Sequence, residues 1–113
     1  MSRRLLDIAT GVALGRLARQ QQFHLAAAGL RKDGVLVSAY NDRRERVSWE
    51  HHAEARLCRK LTPQSDIAVV RILSDGKWAL ARPCASCLRC LKRVGVCRVY
   101  YSIGVGEYGR LSL

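Results

Sequence analysis

Two short stretches carry residues whose types and spacing could do chemistry: His51-His52-Ala53-Glu54, and Arg82-Pro83-Cys84-Ala85-Ser86-Cys87. A histidine with a glutamate two residues later, followed about thirty residues on by Pro-Cys-x-x-Cys, has the ligand spacing of a zinc site that keeps one position open. His52, Cys84 and Cys87 would supply three ligands and water the fourth. Two thiolates neutralise the formal charge of the ion and blunt its Lewis acidity. A helix beginning at each ligand would offset this, because backbone N–H groups and the positive dipole end then face the metal and favour thiolate. Glu54 is not needed as a ligand. It is placed to take a proton from the metal-bound water and pass it to a leaving group. His-x-Glu alone is weak evidence and Pro-Cys-x-x-Cys alone is moderate. The two in this order, each at an expected helix start, are strong.

The elements around these stretches must position them. Leu5, Leu6, Ile8, Ala9, Val12, Ala13 and Leu17 recur at helical spacing, so residues 3–22 are expected to form a packing helix. Gly11 and Gly15 weaken it and would let a sheet approach closely. Asp33-Gly34 lies between two apolar runs and marks a hairpin of strands 24–31 and 35–40. The alanine run 26–28 suits a helix by propensity. The hairpin signal, and the small side chains required beneath a packed helix, favour strand. A second helix is expected over 52–61, stopped by Pro63. A buried strand is expected over 66–73 and an extended segment over 78–81. A third helix should run from 84 to 94, with Pro83 at its start and Gly95 at its end. A strand follows over 97–102. Residues 103–113 are too few for a crossover helix and a parallel strand, so a last short strand should pair antiparallel. Strands alternating with helices imply an α/β fold: a mixed sheet of about five strands flanked by helices in three layers.

At 113 residues a single domain, 1–113, is expected. An apolar content of 49% with 26% charged residues is that of a globular chain, not a disordered one. The charge balance is the outlier. Lys and Arg number 20 against 9 Asp and Glu, a net +11, which favours a polyanionic partner such as nucleic acid over a merely solvated basic surface. Five cysteines, three of them at 84, 87 and 90, suit metal coordination better than a disulfide framework. No signal peptide and no membrane span are expected, which makes the cytoplasm the expected location.

His52-Ala53-Glu54 with Pro83-Cys84-Ala85-Ser86-Cys87 resembles the zinc-dependent cytidine deaminase-like superfamily. The hairpin ending in Asn41 and the two ligand-bearing helices follow that family's order and extend the resemblance over most of the chain. It implies Zn²⁺ held by His52, Cys84 and Cys87, with Glu54 as the proton shuttle in attack of water on C4 of cytosine, or on C6 of adenine as a further option. It favours His52 over the adjacent His51 as the ligand. It implies that the Ala53 backbone contacts the base and that Asn41 contacts the sugar. Arg82 stands where the family usually has a smaller or acidic residue; it would meet a substrate phosphate or point away. Loops that shape the pocket in many members are short here. A homo-oligomer is compatible with this, since a neighbouring subunit could complete the pocket wall. The antiparallel ending resembles the free-nucleoside deaminases and several bacterial toxin deaminases, whereas the charge favours a nucleic acid, single-stranded, or a nucleotide as the substrate. The competing class is a non-enzymatic module with structural zinc, for which Cys90 would be a fourth ligand.

Other residues carry two readings each. Arg43, Arg44 and Arg46 form a rim at the mouth of the site or a solvated loop. Arg89, Lys92, Arg93 and Arg98 track a phosphate backbone or form a solvated face. Trp49, Tyr100 and Tyr101 offer one stacking platform for a base, with core packing favoured for at least two of them. His24 is expected to be a packed or surface histidine, and Cys58 and Cys97 buried apolar residues.

Overall fold

A computed structural model describes residues 2–15, 24–40, 53–73 and 75–113. Over these, the chain runs α1 (Ser2–Leu14), β1 (His24–Leu30), β2 (Leu36–Tyr40), α2 (Ala53–Cys58), β3 (Asp66–Ile72), β4 (Trp78–Ala79), α3 (Ala85–Val94), β5 (Arg98–Gly104) and β6 (Glu107–Ser112). The strands form one mixed sheet in the order β2-β1-β3-β5-β6, with the short β4 paired to β3. β3 and β5 are parallel and every other pairing is antiparallel. The last strand is antiparallel, as its short connection requires. β4 makes a sixth strand where about five were expected, because Arg71 and Ile72 pair with Ala79 and Trp78.

Alternation along the strands divides the core into two layers, one on each face of the sheet. Ala26 and Ala28 of β1, Ala68, Val70 and Ile72 of β3, and Tyr100 of β5 meet Leu5, Leu6, Ala9 and Ala13 of α1. On the other face Ala27, Ile67, Val69 and Val99 meet Ala53 and Leu57 of α2 and Leu91 of α3. With helices on both faces, β3 has no solvated side, which is why it reads as a near-continuous apolar run. The same sandwiching explains the alanines of β1. Each is fully buried under a helix, and a methyl group sets how closely that helix approaches; packing overrides helical propensity.

The α1 surface corrects one expectation. Gly11 is exposed, with nothing within 4 Å of where a Cβ would stand, and Gly15 meets only carbonyls of its own helix. Ala9 and Ala13 make the close approach to the sheet instead. The described helix ends at Leu14, and the expected continuation over 16–22 lies outside the described residues. The hairpin is closed by a turn in which the Gly34 N–H donates to the Arg31 carbonyl at 2.9 Å. Gly34 takes φ 87°, the left-handed residue that completes a three-residue hairpin loop. No helix among the described residues is long and apolar enough to cross a membrane.

Gly95 ends α3 at φ 97°, and its N–H donates to the Leu91 and Lys92 carbonyls. Its own carbonyl accepts the Gln64 N–H at 2.8 Å, tying the end of α3 to the approach to β3. A Cβ on Gly95 would stand 3.1 Å from the Pro63 Cα. Gly95→Ala therefore combines a left-handed backbone with a contact against rigid chain. It is expected to cost about 1–3 kcal/mol, read as a lower urea midpoint at unchanged m-value.

Candidate functional site

The Pro-Cys-x-x-Cys stretch is held in place by the sheet. Ser102, fully buried in β5, donates through Oγ to the Ala79 carbonyl at 2.7 Å and accepts the Arg71 N–H at 3.2 Å. The Ala81 N–H donates to the Ser102 carbonyl at 2.9 Å. One residue thus clamps β3, β4 and the strand-like run into Pro83. Ser102→Ala takes this hydroxyl from the part-buried Ala79 carbonyl and Arg71 N–H. We expect a loss of about 1–3 kcal/mol, seen as a lower thermal midpoint.

Pro83 is buried directly before the N-cap of α3, so it lies outside the helix rather than in its first turn. Its ring restricts Arg82 to extended conformations. Cys84 is the N-cap, at φ −71° and ψ 167°, and its carbonyl accepts the first helical bond from the Leu88 N–H at 2.9 Å. Cys84 is exposed, while Cys87, one turn into the helix, is fully buried.

Glu54 lies in the first turn of α2 and is only 4% exposed. The Cys87 thiol is in hydrogen-bonding contact with both Glu54 and Cys84. The fold therefore brings together three of the expected site residues from two helix starts. Burial pushes the Cys87 thiol strongly up from its ordinary value, and the negative charge of Glu54 adds to this. A bound cation reverses that direction, since a coordinating thiol is deprotonated. Ala53 opens α2 with its side chain in the core, so a contact to a base would fall to its main chain.

His52 and Asn41 lie outside the described residues, as do His51, Trp49 and Arg43, Arg44 and Arg46. Among the described residues no group of three or more His, Cys, Asp or Glu is arranged to hold a metal ion. What they do present is a contacting pair of soft donors at the start of α3. That pair fits zinc, which takes thiolate at about 2.3 Å.

Arg82 is exposed, with its guanidinium 6.0 Å from the centre of the Tyr101 ring. Tyr100 is a core residue packed towards α1, and its ring meets Tyr108 edge-on at 6.5 Å. Arg98 is paired with Asp66 at 3.0 Å, whereas Arg89, Lys92 and Arg93 are exposed. Cys97 is exposed, against the expectation of burial: it immediately precedes β5 and does not lie within it.

Two further thiols meet one helical turn behind the candidate site. Cys58 of α2 is buried, and its thiol is hydrogen-bonded with that of Cys90. Cys58 is four residues after Glu54 and Cys90 three after Cys87, so each lies one helical turn behind a site residue. Burial first, then Cys90, then the charge of Glu54 push the Cys58 thiol up. The i,i+3 and i,i+4 spacing was the available signal. Which partner Cys90 faces depends on how α2 packs against α3.

No family model matches the chain, and no curated protein matches it. Solved structures do. The crystal structure of cytidine deaminase from Mycobacterium leprae superposes with a TM-score of 0.60 at 20% identity, over 96% of this chain and 91% of that one. Cytidine deaminase from Mycobacterium tuberculosis superposes with a TM-score of 0.59 at 23% identity, over 92% of this chain and 89% of that one.

Proposed function

The chain has the cytidine deaminase-like fold, and on that premise we propose that it is a zinc-dependent hydrolytic deaminase converting cytosine to uracil in a single-stranded nucleic acid or a nucleotide. The observation that carries this reading is the contact of the buried Cys87 thiol with both Glu54 and Cys84. A binding module has no use for a buried carboxylate beside a thiol pair, because burying such a charge is costly unless it serves.

In this proposal His52, Cys84 and Cys87 hold Zn²⁺. The chemistry gained from the ion is activation of a water molecule near neutral pH. Glu54 takes the proton from the attacking water and delivers it to N3 as oxygen adds to C4 of the base, then moves the remaining hydroxyl proton to the departing amino nitrogen. Ammonia leaves and a carbonyl remains, so water and cytosine balance uracil and ammonia. The burial of Glu54 excludes solvent from this transfer. The Ala53 main chain and Asn41 orient base and sugar, and Arg82 meets a phosphate at the rim.

A net charge of +11 supports the polynucleotide as substrate. The second reading, a free nucleoside, is favoured by the antiparallel β6 and by the substrate that names the similar enzymes. Cytoplasmic location belongs to the same proposal.

The test incubates the zinc-supplemented protein with cytidine, cytosine nucleotides, single-stranded DNA and RNA, and looks for uracil products. Product from the polynucleotides supports the first reading, and product from cytidine alone supports the second. No deamination of cytosine or adenine in any substrate, together with tight salt-dependent nucleic-acid binding, rejects the enzyme in favour of a binding module.

A further inference from the structure

The contact between Cys58 and Cys90 serves no step of the reaction proposed above, yet it joins the two helices that carry the candidate site. Cys58 is the last residue of α2, and Cys90 stands in the middle of α3. Cys58 is buried in the core layer beneath those helices, and Cys90, half-exposed, packs against the same layer. Their thiols are in hydrogen-bonding contact. Cys58 lies four residues after Glu54 and Cys90 three after Cys87, so the pair repeats the Glu54–Cys87 contact one helical turn further on. Cysteines that serve only as small apolar residues have no need to meet sulfur to sulfur. The chain between the two carries β3 and β4, so a bond here would cross-link elements distant in sequence.

We propose that Cys58 and Cys90 are a redox pair, which hydrogen peroxide oxidises to a disulfide that latches α2 to α3 behind the candidate site. The pair is independent of the deaminase reading. Cys90 is the accessible partner and reacts first. Its sulfur attacks one oxygen of the peroxide; an S–O bond forms, the O–O bond breaks, and hydroxide leaves as water with the thiol's proton. Cys58 is buried, and burial favours its protonated form, so it resolves the intermediate and does not meet the peroxide. Its sulfur attacks that of Cys90; the S–S bond forms, the S–O bond breaks, and the departing hydroxyl takes the Cys58 proton as a second water. Two thiols and one peroxide thus give one disulfide and two waters, with two electrons passing from sulfur to oxygen. A small dithiol reverses the bond by exchange. The latch holds together the helices whose approach creates the Glu54–Cys87 contact.

The experiment treats the reduced, zinc-supplemented full chain with a small excess of hydrogen peroxide. Remaining thiols are then alkylated, and tryptic peptides are mapped by mass spectrometry without reduction. Trypsin separates the partners: Leu57–Arg59 holds Cys58, Cys90–Lys92 holds Cys90, and Cys84 and Cys87 share a third peptide. The expected product is Leu57–Arg59 joined to Cys90–Lys92, released again as two free peptides by a dithiol. The thermal midpoint of the oxidised protein should rise by about 5 °C or more and fall back on reduction. Cys90→Ser, a one-atom change at a half-exposed position, should abolish both the link and the rise. The same treatment in concentrated urea should give the link in far lower yield. Cys90 left as a thiol, carried to sulfinic acid or joined to another cysteine overturns the pair. So does a link that forms as readily in the unfolded chain. A linked protein whose thermal midpoint does not exceed that of the reduced form overturns the latch.

Discussion

Glu54→Gln is expected to abolish most of the deamination, by about 10²–10⁴-fold in kcat, with zinc still bound and the fold retained. The amide matches the carboxylate in size and can still hydrogen-bond in its buried place, so neither packing nor α2 should suffer. What it cannot do is take a proton from water and return it to nitrogen. A second readout separates this role from a structural one. The negative charge of Glu54 raises the Cys87 and Cys58 thiols. Removing that charge should lower both in the metal-free protein, which thiol titration detects. Near-full activity in a zinc-replete Glu54→Gln protein would remove Glu54 from the chemistry. A loss of activity accompanied by loss of zinc or of the folded state would make it a structural residue.

The metal-free protein is expected to lose stability as pH rises above about 9 and to be protected there by zinc. In the folded chain burial pushes the Cys87 and Cys58 thiols up, from an ordinary value of 9.0. Between that ordinary value and the raised one, the unfolded chain has released protons that the folded chain still holds. The slope of stability with pH is then negative, at about 1.4 kcal/mol per pH unit for each thiol. The stabilisation is fully present below the unfolded value and is lost as pH climbs towards the folded one. Zinc held by Cys84 and Cys87 would invert the sign at Cys87, since the bound form would be the thiolate; loading would release a proton, and affinity would rise with pH. Urea midpoints of metal-free and zinc-loaded protein, taken between about pH 7 and 10, test both parts. Cys58→Ala should flatten the metal-free slope without abolishing zinc uptake. A metal-free midpoint that does not move over this range would contradict the buried thiol environment.

Much of the site was legible because its parts are local. Cys84 and Cys87 are fixed on one turn of one helix by the chain between them. Pro83 before that helix and Gly95 after it mark its ends in residue types alone. Asp33-Gly34 located the hairpin, and the short tail required an antiparallel last strand. What stayed illegible depends on packing between elements distant in sequence. The spacing of Cys90 allowed it either to join the expected metal ligands or to be carried away from them; the approach of α2 to α3 pairs it with Cys58. Gly11 carried no sign of its exposure, nor Cys97 of its own, because exposure depends on which elements pack nearby.

By itself, then, the sequence determined the spacing of the expected ligands, the carboxylate two residues after a histidine, and the order of the elements around them. These follow from covalent geometry and from periodicities of two and 3.6 residues. Only the tertiary structure decided that the Cys87 thiol meets Glu54 across two helices, and that the Cys58 thiol meets that of Cys90 one turn behind them. Both depend on the β1–β3–β5 register beneath α2 and α3. That register is set by burial on the two faces of the sheet, summed over residues from the whole chain.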